Sequence, residues 1–209
     1  LAALDAGVVQ ANALIDTTPG MLKVGSAKVK DHHNLGRIDL ATLLGKSSNV
    51  GAAKVALALD KAEYWQFLDK LGFGHSPLTG FPAEASGILP FWRDWATIDQ
   101  ATLSFGYGLS ASVLQLARAY TVLANDGQSV PISLLKQEAP AQAQQVVSKT
   151  AARHVREMLE QVVQPGGTGT LAAITGYRVA GKTGTAKKLG PNGYSDDRYQ
   201  AGFAGVAPA

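Results

Sequence analysis

Gly176-Tyr177-Arg178-Val179-Ala180-Gly181-Lys182-Thr183-Gly184-Thr185 can be read in two ways, and the choice decides the fold. Its first eight residues fit G-x-x-x-x-G-K-[ST], the loop that cradles nucleotide phosphates. Such a loop works only between a strand and a helix whose first N–H groups face the phosphates. Here Gly184 and Thr185 follow at once, Gly190-Pro191-Asn192-Gly193 comes soon after, and the residues that remain are too few for the rest of a nucleotide fold. The residues between the two Gly also read as a strand. We therefore read Lys-Thr-Gly-Thr as part of a strand, the first arm of an antiparallel hairpin.

Outward from that stretch, Tyr177-Arg178-Val179-Ala180 and Tyr199-Gln200-Ala201-Gly202-Phe203-Ala204-Gly205-Val206 are strand-like. Between them the sequence predicts a polar loop from Lys187 to Arg198, with Pro191-Asn192-Gly193 and Asp196-Asp197. Upstream the pattern is helical. A helix ends at Gly7, and an Ala-rich run extends from about Ser48 to Leu59. Tyr64, Phe67, Leu68 and Leu71 form one apolar stripe that Gly72 stops. Val113, Leu116, Ala117, Tyr120 and Ala124 form a second behind an N-cap at Ser112. Val155, Met158, Leu159, Val162 and Val163 form a third, capped by Ser148 and stopped by Pro165-Gly166-Gly167. Segments 15–30 and 73–100 read as loops with short strands. With no internal repeat and no low-complexity linker, residues 1–209 make one domain. Helices followed by a hairpin allow an α+β fold, an antiparallel β-sheet flanked by helices, which is the arrangement that the resemblance described below implies.

Composition narrows the chemistry. A hydrophobic fraction of 46% with 17% charged residues suits a globular core. The formal charge of +3 comes with no basic run and no basic patch interleaved with aromatics, which argues against nucleic acid. The absence of cysteine excludes disulfides, thiolate catalysis and cysteine-ligated zinc. No apolar run approaches the roughly 20 residues that span a bilayer. Adjacent His32 and His33 point apart if extended, and His154 with Glu157 is a lone helical pair. The sequence therefore predicts no metal and no cofactor.

Two stretches carry chemistry. Successive Thr, Gly and Thr on a strand put Thr183 and Thr185 on one face, and Gly184 between them lets a ligand backbone approach. Lys182 beside these hydroxyls makes a carboxylate site, and the strand's backbone groups can pair with an extended substrate. The second stretch is Ser47-Ser48-Asn49, where the Ala-rich helix begins. A Ser hydroxyl can pass a proton between nucleophile and leaving amine, and an Asn carboxamide both accepts and donates, as holding a peptide bond requires. Read alone, Ser-x-Asn is also an ordinary N-cap and Lys-Thr-Gly-Thr an ordinary strand end. Their order, 135 residues apart, is what joins them.

Ser47-x-Asn49 followed by Lys182-Thr183-Gly184-Thr185 resembles the second and third signature motifs of penicillin-binding transpeptidases and serine β-lactamases. The flanks Lys46-Ser47-Ser48-Asn49-Val50-Gly51, Phe105-Gly106-Tyr107-Gly108-Leu109-Ser110, Gln115-Leu116-Ala117-Arg118-Ala119-Tyr120, Gly166-Gly167-Thr168-Gly169-Thr170 and Gly176-Tyr177-Arg178-Val179-Ala180-Gly181 resemble the division-specific class B penicillin-binding proteins. The resemblance implies a serine acyl-transferase acting on the D-Ala-D-Ala end of peptidoglycan stem peptides and trapped by β-lactam antibiotics. It implies that Ser47 relays protons, Asn49 holds the substrate amide and Lys182 supplies positive potential, while Thr183 and Thr185 grip the substrate carboxylate. The Thr185 N–H would be half of an oxyanion hole, a contribution of about 3–4 kcal/mol to the barrier. Tyr107 and Tyr199 lie in matching flanks and would wall the groove. Other cell-division and cell-wall proteins are the implied partners, and the periplasmic face of the inner membrane the implied location. A sensor or scaffold that recognises penicillin without turnover is the rival class.

The resemblance also sets an expectation about what is missing. The first signature, Ser-x-x-Lys, should precede Ser47 and does not. Ser133-Leu134-Leu135-Lys136 has the spacing but follows Pro131-Ile132 and reads as a strand, which would splay the two side chains to opposite faces. The family's final strand and helix are likewise expected beyond Ala209. On this reading the 1–209 stretch is a partial transpeptidase domain that forms no acyl-enzyme by itself and is marginal or prone to aggregate alone.

Overall fold

The computed structural model describes residues 1–138, 142–190 and 193–209. The chain opens with α1 (Ala2–Asp5), then β1 (Leu14–Asp16), β2 (Met21–Val24), β3 (Ala27–Lys30) and β4 (Arg37–Asp39). Helices α2 (Leu40–Lys46), α3 (Asn49–Leu57) and α4 (Lys61–Lys70) follow, then a short 3-10 turn (Trp92–Asp94), α5 (Thr97–Leu103) and α6 (Val113–Ala124). The last elements are β5 (Gln128–Ser129), β6 (Gln144–Gln145), α7 (Lys149–Leu159), β7 (Ala180–Gly190) and β8 (Gly193–Val206). Strands pair as β1 with β4, β2 with β3, β5 with β6 and β7 with β8, all antiparallel. The fold class is therefore α+β.

Short polar side chains set the helix starts. Ser48 accepts from the Gly51 N–H at 2.9 Å, Asp60 from those of Ala62 and Glu63 at 2.8 and 3.1 Å, and Ser148 from that of Ala151 at 3.2 Å. Each satisfies amides that a helix start leaves without an intrahelical partner. The central core gathers Tyr64 and Leu68 of α4, Phe73, Trp95, Leu103 of α5, Val122 of α6, Ala152 of α7, and Val147 just before α7. Tyr64 meets Trp95 edge to face at 5.9 Å, and burial drives the Tyr64 hydroxyl pKa well above the ordinary phenol range.

Several expectations need correction. On α6 the predicted apolar stripe is not the buried face: Val113 is 84% exposed and Leu116 42%, while Gln115, Val122 and Leu123 are buried. The helix is anchored through a polar group, which an apolar period does not register. Segment 73–100 holds the 3-10 turn and the first residues of α5, and its strand content is one bridge between Ile88 and Ser110. In the tail the strand starts at Ala180 rather than Tyr177, and most of the expected polar loop is ladder: Lys187 opposes Tyr199, and Gly190 opposes Gly193. An exposed two-stranded ribbon tolerates polar residues on both faces, so polarity there does not mark a loop. Pro191 and Asn192 lie outside the described residues. Ser133–Lys136 is neither strand nor helix, and the Ser133 hydroxyl is turned onto the Leu135 carbonyl at 2.7 Å.

Gln115 is 1% exposed, and its Nε2 donates to the carbonyls of Gly72, His75 and Ser86 at 3.1, 2.9 and 2.8 Å while Oε1 accepts from the Ser112 N–H at 2.7 Å. It ties the loop after α4 to the start of α6. Gln115→Leu strands these groups and is expected to cost about 2–4 kcal/mol in urea unfolding; a loss under about 0.5 kcal/mol would show that the loop holds itself.

Candidate active site

The α2–α3 junction is an abrupt turn. Ser47 closes α2 with φ 55° and ψ 48°, the left-handed region that a residue with a Cβ seldom occupies. The geometry throws its side chain out of the helix line and lets α3 begin two residues later at Asn49. Neighbours hold the turn. The Asp31 carboxylate, just past β3, accepts from the Ser48 hydroxyl at 2.6 Å and from the Val50 N–H at 2.9 Å. The Asn49 carboxamide donates to the Lys30 carbonyl at 3.2 Å. On the other side the Lys46 ammonium donates to the Gly166 carbonyl at 2.8 Å. A concavity of about 230 Å³ lies behind that last contact, lined by Thr42, Gly45, Lys46 and Gln161 among others.

β7 supplies the opposite wall. Its register with β8 places Lys182 opposite Ala204, Thr183 opposite Phe203, Gly184 opposite Gly202 and Thr185 opposite Ala201. By strand alternation Lys182 and Gly184 share one face, and Thr183 and Thr185 share the other. The Lys182 ammonium donates to the Ser47 hydroxyl and, at 3.2 Å, to the Thr183 carbonyl. Burial lowers its pKa from the ordinary lysine value. The Thr183 hydroxyl donates to that of Thr168 at 2.9 Å.

One edge of β7 pairs with β8, and the other pairs with no strand among the described residues. Two contacts mark what lies on that other edge. The Thr183 carbonyl meets the Lys182 ammonium, and the Lys187 N–H donates to the Tyr107 hydroxyl at 3.2 Å. Backbone groups of alternate residues point the same way along a strand, so the Thr185 N–H is on this edge too. Tyr107 is set against Phe105 at 6.1 Å, edge to face. Tyr199 is 48% exposed, directly opposite Lys187.

The two stretches singled out in the sequence are thus in contact: Lys182 touches Ser47, with Asn49 on the next turn of chain. Tyr107 joins them through the backbone of β7. Thr183 and Thr185 face away from Lys182 across the strand, and Tyr199 is on their face. The alternative phosphate loop is excluded, because the residues after Lys182-Thr183 continue as strand to Gly190 rather than starting a helix. Glu157, weighed with His154 as a ligand pair, instead accepts from Arg153 at 2.8 Å. Asp31, Lys46 and Thr168 escaped the sequence reading. Lys46 and Thr168 stood within quoted motifs without a role; nothing local marks Asp31.

The family model for the penicillin binding protein transpeptidase domain matches residues 1–209. The chain belongs to this family. It is 44% identical over 207 residues to a probable peptidoglycan D,D-transpeptidase, PenA, of Neisseria gonorrhoeae, covering 99% of this chain and 35% of that one. Peptidoglycan D,D-transpeptidase FtsI of Escherichia coli is 41% identical over 209 residues, covering 100% of this chain and 35% of that one. The chain thus spans about a third of the length of these relatives. The apo TP domain of penicillin-binding protein 3 from Burkholderia pseudomallei superposes with a TM-score of 0.95 at 44% identity, over 99% of this chain and 63% of that one. Penicillin-binding protein 3 of Mycobacterium tuberculosis, complexed with aztreonam, gives 0.91 at 33% identity, over 99% and 50%. Among the described residues no helix is long and apolar enough to cross a membrane.

Proposed function

We propose that this domain binds the D-Ala-D-Ala end of peptidoglycan stem peptides along the open edge of β7 and serves as part of a serine D,D-transpeptidase. The observation that carries the reading is the contact of Lys182 with Ser47, which sets the Ser-x-Asn turn against a strand edge with backbone groups to spare. An extended peptide laid on that edge adds a strand, with main-chain hydrogen bonds giving affinity. The terminal carboxylate would lie at the β7 edge itself, where the Lys182 ammonium supplies positive potential from one face of the strand and the hydroxyls of Thr183 and Thr185 grip it from the other. Asn49 holds the substrate amide, and Tyr107 and Tyr199 bound the groove. The Thr185 N–H, on the same open edge, would stabilise the oxyanion as a serine adds to the penultimate D-Ala carbonyl.

In the first step that serine oxygen bonds to the carbonyl carbon, the C–N bond breaks and the terminal D-Ala leaves with a proton relayed through Ser47. In the second, an amine of a neighbouring stem takes the acyl group and the serine recovers its proton. The attacking serine belongs to a Ser-x-x-Lys on one helical turn; the one such spacing among residues 1–209, Ser133 to Lys136, is not helical, so residues 1–209 alone should form no acyl-enzyme. Relatives named for D,D-transpeptidation and a related structure holding aztreonam support the substrate class and β-lactam binding. Cell-division and cell-wall partners and work at the periplasmic face of the inner membrane belong to the same proposal and rest on the family resemblance.

Fluorescent penicillin tests the reading in the intact protein. Covalent labelling with turnover of a D-Ala-D-Ala peptide is the expected result. Labelling without turnover would make the protein a sensor, and no labelling would make it a scaffold.

A further inference from the structure

We infer that Asp31 is a positioning residue for the Ser47–Asn49 turn, acting through Ser48 and Val50 without touching substrate; the inference rests on the acyl-transfer reading above. Its carboxylate divides between two groups that flank Asn49 in the chain: Oδ2 accepts from the Ser48 hydroxyl at 2.6 Å and Oδ1 from the Val50 N–H at 2.9 Å. The carbonyl of the preceding residue, Lys30, takes the Asn49 carboxamide itself at 3.2 Å. Three consecutive residues of the turn are therefore held from one two-residue segment, nearly twenty positions upstream.

Helix capping alone does not require this. Ser48 already caps α3, accepting from the Gly51 N–H at 2.9 Å while its own hydroxyl proton goes to Asp31. The added carboxylate instead fixes where the capped turn sits relative to β3, whose exit is pinned by the Asp31 N–H on the Gly20 carbonyl at 3.0 Å. The turn needs such a hold because Ser47 occupies a left-handed conformation that is costly for a residue with a Cβ. Charge-assisted hydrogen bonds are the short, directional kind suited to the task. With Asp31 and Lys30 on one side and Lys182 on the other, the Ser47 hydroxyl and the Asn49 carboxamide have little room to drift, and a displacement near 1 Å is enough to cost about 10²-fold in rate.

The test compares Asp31→Ala, Asp31→Asn and Asp39→Ala in the intact protein with fluorescent penicillin, resolving the non-covalent affinity from the acylation rate constant. Asp39 is the matched control, since its Oδ1 accepts from the Thr42 N–H at 2.8 Å at the start of α2, away from Ser47 and Asn49. Asp31→Ala is expected to acylate at least 10-fold more slowly with non-covalent affinity within about 3-fold. Asp31→Asn keeps an acceptor for Val50 and a donor for Ser48, and should recover most of the rate; it also carries the comparison if the Ala variant does not fold. Asp39→Ala should lose thermal stability without losing rate. Acylation by Asp31→Ala at the wild-type rate overturns the inference, as does an Asp39→Ala that slows as much as Asp31→Ala for the same loss of melting temperature. If the wild type itself does not label, the acyl-transfer reading fails first, which separates the two failures.

Discussion

Lys182→Met in the intact protein is expected to slow acylation by penicillin about 10²–10³-fold, the range seen when one preorganised polar group facing developing charge is removed, while leaving thermal stability nearly unchanged. The side chain is half-buried, donates to Ser47 and to the Thr183 carbonyl, and forms no ion pair among the described residues. Holding an ammonium there costs solvation, as its lowered pKa shows. Met fills much the same volume without that cost, so a group kept for stability would lose little on replacement. What Met cannot supply is attraction for a substrate carboxylate or a donor to Ser47. Lys182→Arg should keep the attraction but not the point contact on Ser47, and fall between the two. The pH dependence gives a second readout. Only the charged form attracts a carboxylate, and burial lowers the Lys182 pKa, so wild-type acylation should decline as pH rises through a value under the ordinary lysine one. In Lys182→Arg that alkaline limb should move beyond the measurable range. A Met variant acylating within 3-fold of wild type would remove Lys182 from the site.

What the sequence reveals here follows the range of each interaction. Ser112 and Ser148 are legible as caps because a cap is satisfied within three residues, and both accept the bond their position implies. Lys-Thr-Gly-Thr is legible as strand because a helix cannot be built on its surroundings. The face of α6 is misread because Gln115 carries the burial through four hydrogen bonds to loop groups, and hydropathy scores that residue as surface. Helix α2, seven residues from Leu40 to Lys46, is too short for a period to show, and its cap at Asp39 lies in a strand pair. Asp31 is the instructive miss. Between its neighbours Lys30 and His32 it looks like any loop acid, and only the fold brings its carboxylate to Ser48. The Ser47–Lys182 contact is far more remote, 135 positions against 17 for Asp31 and Ser48, yet both of its ends carry a chemical pattern, so resemblance could join what spacing could not.

Gly184 offers the sharper separation of fold from function. A Cβ built on Gly181 would lie 2.3 Å from the Phe203 ring and 2.8 Å from the Ala204 carbonyl, so the hairpin itself demands that glycine. A Cβ on Gly184, or on Gly202 directly opposite, meets nothing within 4 Å, and neither backbone is in the left-handed region. Interior glycine weakens a strand, and a β-branched residue suits one better. Gly184→Val is therefore expected to leave the melting temperature unchanged or raise it by a few degrees. Acylation by penicillin should nevertheless fall by at least 10-fold, because the isopropyl group would stand beside the β7 edge between Lys182 and Thr185, where the ligand's own backbone has to approach. Stability gained with activity lost is a signature that a structural glycine cannot produce. Gly181→Val should give the opposite order, with unfolding first. An active, well-folded Gly184→Val would mean that ligands do not lie along this strand, and the roles proposed for Thr183 and Thr185 would fall with it.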